Sequence, residues 1–187
     1  RTEALGNLAV LLKQLGRREE SLGILLEANE MDPVNCKHEF NIGVHYLEQQ
    51  DLEEARRRFE RVVEKKADFR PAWLNLGYIA KATGRFEKAE KIYADLVAAA
   101  PEEVEARANL GHLYLDQERF ADAKSVFEEL RRHDATLLDI NLGLMLAVVH
   151  LGDWAVVCRL AEEFRNVFIE KVDLGGSFSD GSQIASG

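Results

Sequence analysis

Proline is scarce, with three in 187 residues. Helices can therefore run without the breaks that an interior proline imposes. Cysteine is scarcer: Cys36 and Cys158 are too few for a disulfide framework. No stretch approaches the roughly 20 apolar residues of a membrane span. The most apolar segment, 137–151, is interrupted by Asp139, Asn141 and His150. Basic residues are the minority, 24 against 33 acids, for a formal charge of −9. That balance argues against nucleic acid or an anionic membrane as partner, since both select basic surfaces. The five histidines include no pair at helical zinc spacing. Neither a phosphate-binding Gly-x-x-x-x-Gly-Lys-Ser/Thr loop nor a Gly-x-Ser-x-Gly elbow is present. No catalytic residue, metal or cofactor is expected, and the chain is not expected to be an enzyme. The first residue is Arg1, the helical pattern starts at once, and no secretory leader is visible. The chain is expected to be cytoplasmic and excised from something longer, with an upstream targeting signal left open.

What the sequence has is a period of 34. Gly16, Gln50, Gly84, Glu118 and Gly152 form one column at that spacing. Asn7, Asn41, Asn75 and Asn109 form a second; Ala9, Gly43, Gly77 and Gly111 form a third. Ser21, Ala55, Ala89 and Ala123 follow, then Leu25, Phe59, Tyr93 and Phe127. Each unit carries two apolar helical stripes around a turn, such as Trp73, Leu76 and Ala80, then Phe86, Ala89, Tyr93 and Leu96. Small residues such as Gly77 and Ala89 let the two helices approach, and Trp73 and Tyr93 are expected to fill the space between neighbouring pairs. One pair cannot bury both stripes alone, so units must stack.

These residues resemble the tetratricopeptide repeat. The third unit carries the pattern most fully, with Trp73, Leu76, Gly77, Ala89, Tyr93 and Pro101. The fourth has Leu110, Gly111, Tyr114, Ala123 and Phe127; the second has Ile42, Gly43, Tyr46, Ala55 and Phe59. The resemblance implies an all-α, right-handed α-solenoid of about five antiparallel helix pairs, with the first helix of each pair on the concave side. The expected repeats are about 2–35, 36–69, 70–103, 104–137 and 138–171. The expected helices are 3–15, 18–30, 36–49, 52–66, 70–83, 86–99, 103–117, 120–133, 137–151 and 154–169. Residues 172–187 are rich in Gly and Ser and read as a flexible tail or linker.

The fifth repeat departs from the pattern. Asn141-Leu142-Gly143 resembles the Asn-Leu-Gly of repeats three and four but falls two residues early. A longer ninth helix is expected to absorb the difference. This repeat is also unusually apolar, and nothing like a polar capping helix follows it. Met145, Trp154, Val157 and Phe164 are therefore candidate interface residues, for a second copy or an adjacent domain.

The resemblance implies a non-catalytic scaffold that binds a protein or peptide segment in its concave groove. Candidate binding residues are Asn7, Asn41, Asn75, Asn109, Phe40, Val44, Leu74, Tyr78 and His112. An amide offers an acceptor and two donors, so a regular asparagine row can pair with extended backbone whatever its side chains. That row is similar to the asparagine ladders of O-GlcNAc transferases and importin-type solenoids. A substrate-recognition arm of such a glycosyltransferase is the alternative. Repeats that grip a chaperone's C-terminal carboxylate carry a basic residue and an Asn where this chain has Phe40 and Val44, and two basic residues where it has Glu105 and Asn109. A carboxylate would be poorly compensated here.

Overall fold

A computed structural model describes residues 2–134 and 137–175, with side chains described to residue 165. Ten helices and no strands are found among the described residues: α1 Thr2–Gln14, α2 Arg18–Met31, α3 Cys36–Glu48, α4 Leu52–Lys65, α5 Arg70–Ala82, α6 Phe86–Ala99, α7 Val104–Asp116, α8 Phe120–His133, α9 Leu138–His150 and α10 Trp154–Gly175. Each helix packs on the next, and the first helices also touch one another, α5 on α7 and α7 on α9. The result is an all-α solenoid.

Local signals explain where the helices start and stop. Asn35 Oδ1 accepts from the Lys37 N–H at 3.1 Å and opens α3. Asp51 Oδ1 accepts from the Glu54 N–H at 3.1 Å and opens α4. Pro71 sits in the first turn of α5, where its missing N–H costs nothing. At the end of each first helix, the whole turn column is left-handed: Gly16, Gln50, Gly84, Glu118 and Gly152 have φ of 76°, 64°, 72°, 57° and 68°. The following N–H then reaches back across the turn, as Arg85 N–H does to the Ala80 carbonyl at 2.8 Å.

The core forms along the helix–helix seams. A large cluster runs from α4 to α7 and includes Phe59, Val62, Leu76, Ile79, Tyr93 and Leu113. A second links α8, α9 and α10 through Phe127, Leu130, Leu144, Val148 and Leu160. A small third one joins Ala9, Leu25 and Ile42. Glycine sets how closely the helices approach. The Phe59, Tyr93 and Phe127 rings lie against Gly43, Gly77 and Gly111 of their own pairs. Tyr93 thus packs on Gly77 within its own pair, in a cluster that continues to Ala106, Leu110 and Leu113 of the next.

The ninth helix is not longer. It has 13 residues, like α7. Ile140, Leu144 and Ala147 fall 34 residues after Ala106, Leu110 and Leu113 and are buried as they are. The helix therefore keeps the turn register. Gly143 stands in the asparagine column, where a Cβ would lie 2.5 Å from the Phe127 ring. The triplet reflects that close approach. The tenth helix, expected to end at 169, continues to Gly175. Of the expected tail, residues 176–187 lie outside the described residues.

Candidate peptide-binding groove

The first helices α3, α5 and α7 line a cavity of about 500 Å³. Phe40, Leu47, Pro71, Leu74 and Tyr78 form its apolar wall; Asn75, Asn109, Glu103 and Glu105 supply polar atoms. A smaller cavity of about 100 Å³ between α1 and α3 is lined by Asn41, Val44, Val10 and Lys13, among others. Seven of the candidate binding residues are thereby divided between two hollows, and Tyr78 among them is exposed. Asn7 is exposed on α1 and lines neither.

The amides are used unequally. Asn75 Nδ2 donates to the Pro71 carbonyl at 2.8 Å, so it is tied to its own helix and keeps its oxygen available. Asn41 and Asn109 are half-buried, and their side chains have no hydrogen-bond partner among the described residues. His112 is engaged elsewhere. Its Nε2 lies 2.8 Å from Asp139 Oδ2, and its ring meets Phe127 edge-on with centroids 5.1 Å apart. It joins α7 to α9 and lines neither cavity.

Ion pairs cross the surface between neighbouring first helices: Lys13 to Glu48 at 2.5 Å, Arg70 to Glu103, and Lys81 to Asp116 at 3.0 Å. Glu105 is exposed and has no ion-pair partner among the described residues. The groove is therefore acidic on balance. Beneath it, burial holds the Tyr93 phenol well above its usual range, and Tyr78 and Glu105 push the same way.

On α9 two of the groove columns hold exposed leucines. Leu142 and Leu146 fall 34 residues after Ala108 and His112, in the columns of Leu74 and Tyr78. They are 57% and 47% exposed, and Leu138 is 64% exposed on the same helix. The column arithmetic would have found them, had the displaced Asn-Leu-Gly triplet not suggested another register. Of the candidate interface residues, Met145, Val157 and Phe164 are partly buried against the α8–α10 cluster. Trp154 is 63% exposed.

A further polar cluster joins α3 to α4. Glu39 is fully buried, and its Oε1 lies 3.4 Å from both Arg58 Nη1 and Arg61 Nη1. Its residue type gave no hint of burial; only its place in the Trp73 column did.

Comparison with known proteins agrees with this architecture. Three family models described as tetratricopeptide repeat match residues 46–113, 1–30 and 104–130, together more than half of the chain. The chain belongs to the tetratricopeptide-repeat family. It is 31% identical over 118 residues to "Protein O-mannosyl-transferase Tmtc3" of Drosophila melanogaster, a match covering 63% of this chain. The chain spans only 13% of that relative's length. Among solved structures it resembles a tetratricopeptide repeat protein from Parabacteroides merdae, with a TM-score of 0.77 and 16% identity, covering 88% of this chain and 64% of that one. It also resembles YrrB, titled "a TPR protein with an unusual peptide-binding site", with a TM-score of 0.65 and 18% identity over 84% of this chain and 81% of that one. No helix among the described residues is long and apolar enough to cross a membrane.

Proposed function

We propose that this chain is a non-catalytic interaction module that holds an extended segment of a protein partner along its concave groove, without a cofactor. One observation carries the reading: the Asn41 and Asn109 amides and the Asn75 oxygen have no hydrogen-bond partner among the described residues and stand beside an apolar wall of Phe40, Leu74 and Tyr78. Unpaired half-buried amides favour a ligand that supplies backbone N–H and C=O groups. The similarly folded YrrB, a protein with a peptide-binding site, lends support. The acidic rim favours a segment with basic residues and disfavours nucleic acid. The test is capture from source-cell lysate by the wild-type chain and by an Asn41→Ala, Asn75→Ala, Asn109→Ala variant that circular dichroism shows to be folded. A partner held by wild type and lost from the variant supports the ladder. Unchanged capture removes the asparagines from the site.

The match to an O-mannosyl-transferase favours a second reading, in which the groove is the recognition arm of a larger glycosyltransferase and the bound segment is its acceptor polypeptide. A catalytic domain in the same reading frame is what this reading requires. In either setting the exposed Trp154 supplies a contact for a second copy or an adjacent domain. Trp154→Asp then converts any dimer held through this end to monomer in sedimentation.

A further inference from the structure

The repeat register places equivalent residues in equivalent surroundings, so a partner present in one repeat and absent from another stands out. Glu39, Trp73, Arg107 and Asn141 occupy one column on the first helices; Arg61, Asp95, Glu129 and Glu163 occupy the facing column on the second helices. In repeat two the facing residues form an ion pair, with Glu39 Oε1 3.4 Å from Arg61 Nη1. In repeat four they do so with reversed polarity, with Arg107 Nη1 3.5 Å from Glu129 Oε1. In repeat five Arg131 bridges the columns, donating to Asn141 Oδ1 at 2.9 Å and pairing with Glu163. Repeat three alone among these has no cation paired with the acid of its second helix: Trp73 faces Asp95, and Asp95 has no hydrogen bond or ion pair among the described residues.

Trp73 performs half of what Arg107 does. Arg107 donates to the carbonyl of Pro101 as well as pairing with Glu129. Trp73 Nε1 donates to the equivalent carbonyl, that of Ala67, at 2.8 Å. The positive charge that repeat four directs at its second helix is missing. In its place is a cavity of about 320 Å³ walled by Trp73, Ile92 and Leu96, with the Asp68 and Asp95 carboxylates on its lining. Asp68 likewise lacks an ion-pair partner among the described residues. Arg70 also borders the cavity, but its guanidinium is paired with Glu103. No lining residue is shared with the concave groove.

We propose that this cavity is a second binding site, outside the groove, for an arginine side chain of a protein partner. The guanidinium pairs with Asp95 and Asp68, and the aliphatic stem lies on Ile92 and Leu96. A planar, weakly hydrated guanidinium stacks on an indole while its edge donates to carboxylates; the compact, strongly hydrated lysine ammonium does this less well. The incoming residue supplies from outside the charge that Arg107 supplies from within repeat four.

The probe is acetyl-Gly-Arg-Gly-amide, titrated into the whole chain and followed by nitrogen–proton correlation spectra. The Trp73 indole and Leu96 backbone N–H signals report the site. The expected result is a saturable shift at both that is lost with the citrulline peptide, which keeps the shape and removes the charge. Asp95→Asn is expected to weaken binding about tenfold, the value of one charge-assisted contact. Trp73→Arg rebuilds the repeat-four pair inside the chain and is expected to abolish the Leu96 shift while the fold survives. The triple asparagine variant is expected to bind the probe as wild type does, which separates this site from the groove. Equal shifts with the citrulline peptide, or binding unchanged in both Asp95→Asn and Trp73→Arg, overturn the proposal.

Discussion

The Tyr93 ring occupies the space that a side chain on Gly77 would need: a Cβ there would lie 2.5 Å from Tyr93 Cε1. Tyr93 is only 1% exposed, so its ring has nowhere to retreat. Gly77→Ala gains about 1 kcal/mol of helix propensity but forces a repacking that costs roughly 1–3 kcal/mol in a dense core. The expected net result is a loss of up to about 2 kcal/mol. Gly23 in α2 is the control, because a Cβ there meets nothing within 4 Å. Gly23→Ala is expected to stabilise by about 1 kcal/mol. Urea denaturation of the two variants checks both signs. Two losses of similar size would mean that the Tyr93 contact is not what distinguishes Gly77.

That contrast shows what the sequence could and could not convey. The 34-residue period made the pairing of helices legible, and the expected ends of α1 to α9 agree with the structure to within one residue. A hydrophobic stripe and a turn residue are local signals, and both recur in every unit. Three things were not local. The close approach of Gly143 to Phe127 depends on how α9 lies over the preceding pair, so the displaced triplet alone points to a longer ninth helix. His112 has the right column for the groove but is drawn to Asp139, a residue 27 positions away on another helix. Glu39 reads as a surface acid until Arg58 and Arg61 are seen to enclose it. In each case the deciding atom belongs to a different repeat or a different helix, and one unit's pattern does not specify it. The candidate groove was more legible than this, because side chains on the concave faces of consecutive first helices follow the same period as the turns.

The turn column offers an independent test. Glu118 takes φ 57° where Gly84 takes 72°. The left-handed region costs a residue with a Cβ roughly 1–2 kcal/mol and glycine almost nothing. Glu118 is exposed and forms no ion pair among the described residues, so removing its side chain forfeits no contact. Part of the gain is offset by the greater freedom of glycine in the unfolded chain. Glu118→Gly is expected to stabilise by about 0.5–1 kcal/mol. A domain of this size then melts higher by roughly 1–4 °C. Gly84→Gln, the reverse change at the equivalent turn, is expected to lower the melting temperature by a similar amount. Calorimetry on both variants measures the pair. A fall for Glu118→Gly would show that its turn is held by something other than backbone conformation.

The buried Tyr93 phenol makes stability depend on pH in the alkaline range. Burial raises its pKa first, and Tyr78 and Glu105 add to the effect. In the unfolded chain the same phenol ionises near pH 10. Above that pH the unfolded state releases a proton that the folded state retains. Unfolding is then favoured progressively as pH rises toward the folded pKa, and the stabilisation is complete only below about pH 10. Tyr114 contributes in the same direction, through burial and then its hydrogen bond to Glu90. Tyr93→Phe keeps the ring against Gly77 and removes the titrating group. The expected outcome is that the urea midpoint of wild type falls between pH 9 and pH 11.5, roughly the range where a tyrosine titrates, and that the variant falls less steeply. Parallel slopes for the two proteins would mean that the Tyr93 hydroxyl reaches water in the folded state, and that the floor of the groove is more open than its burial implies.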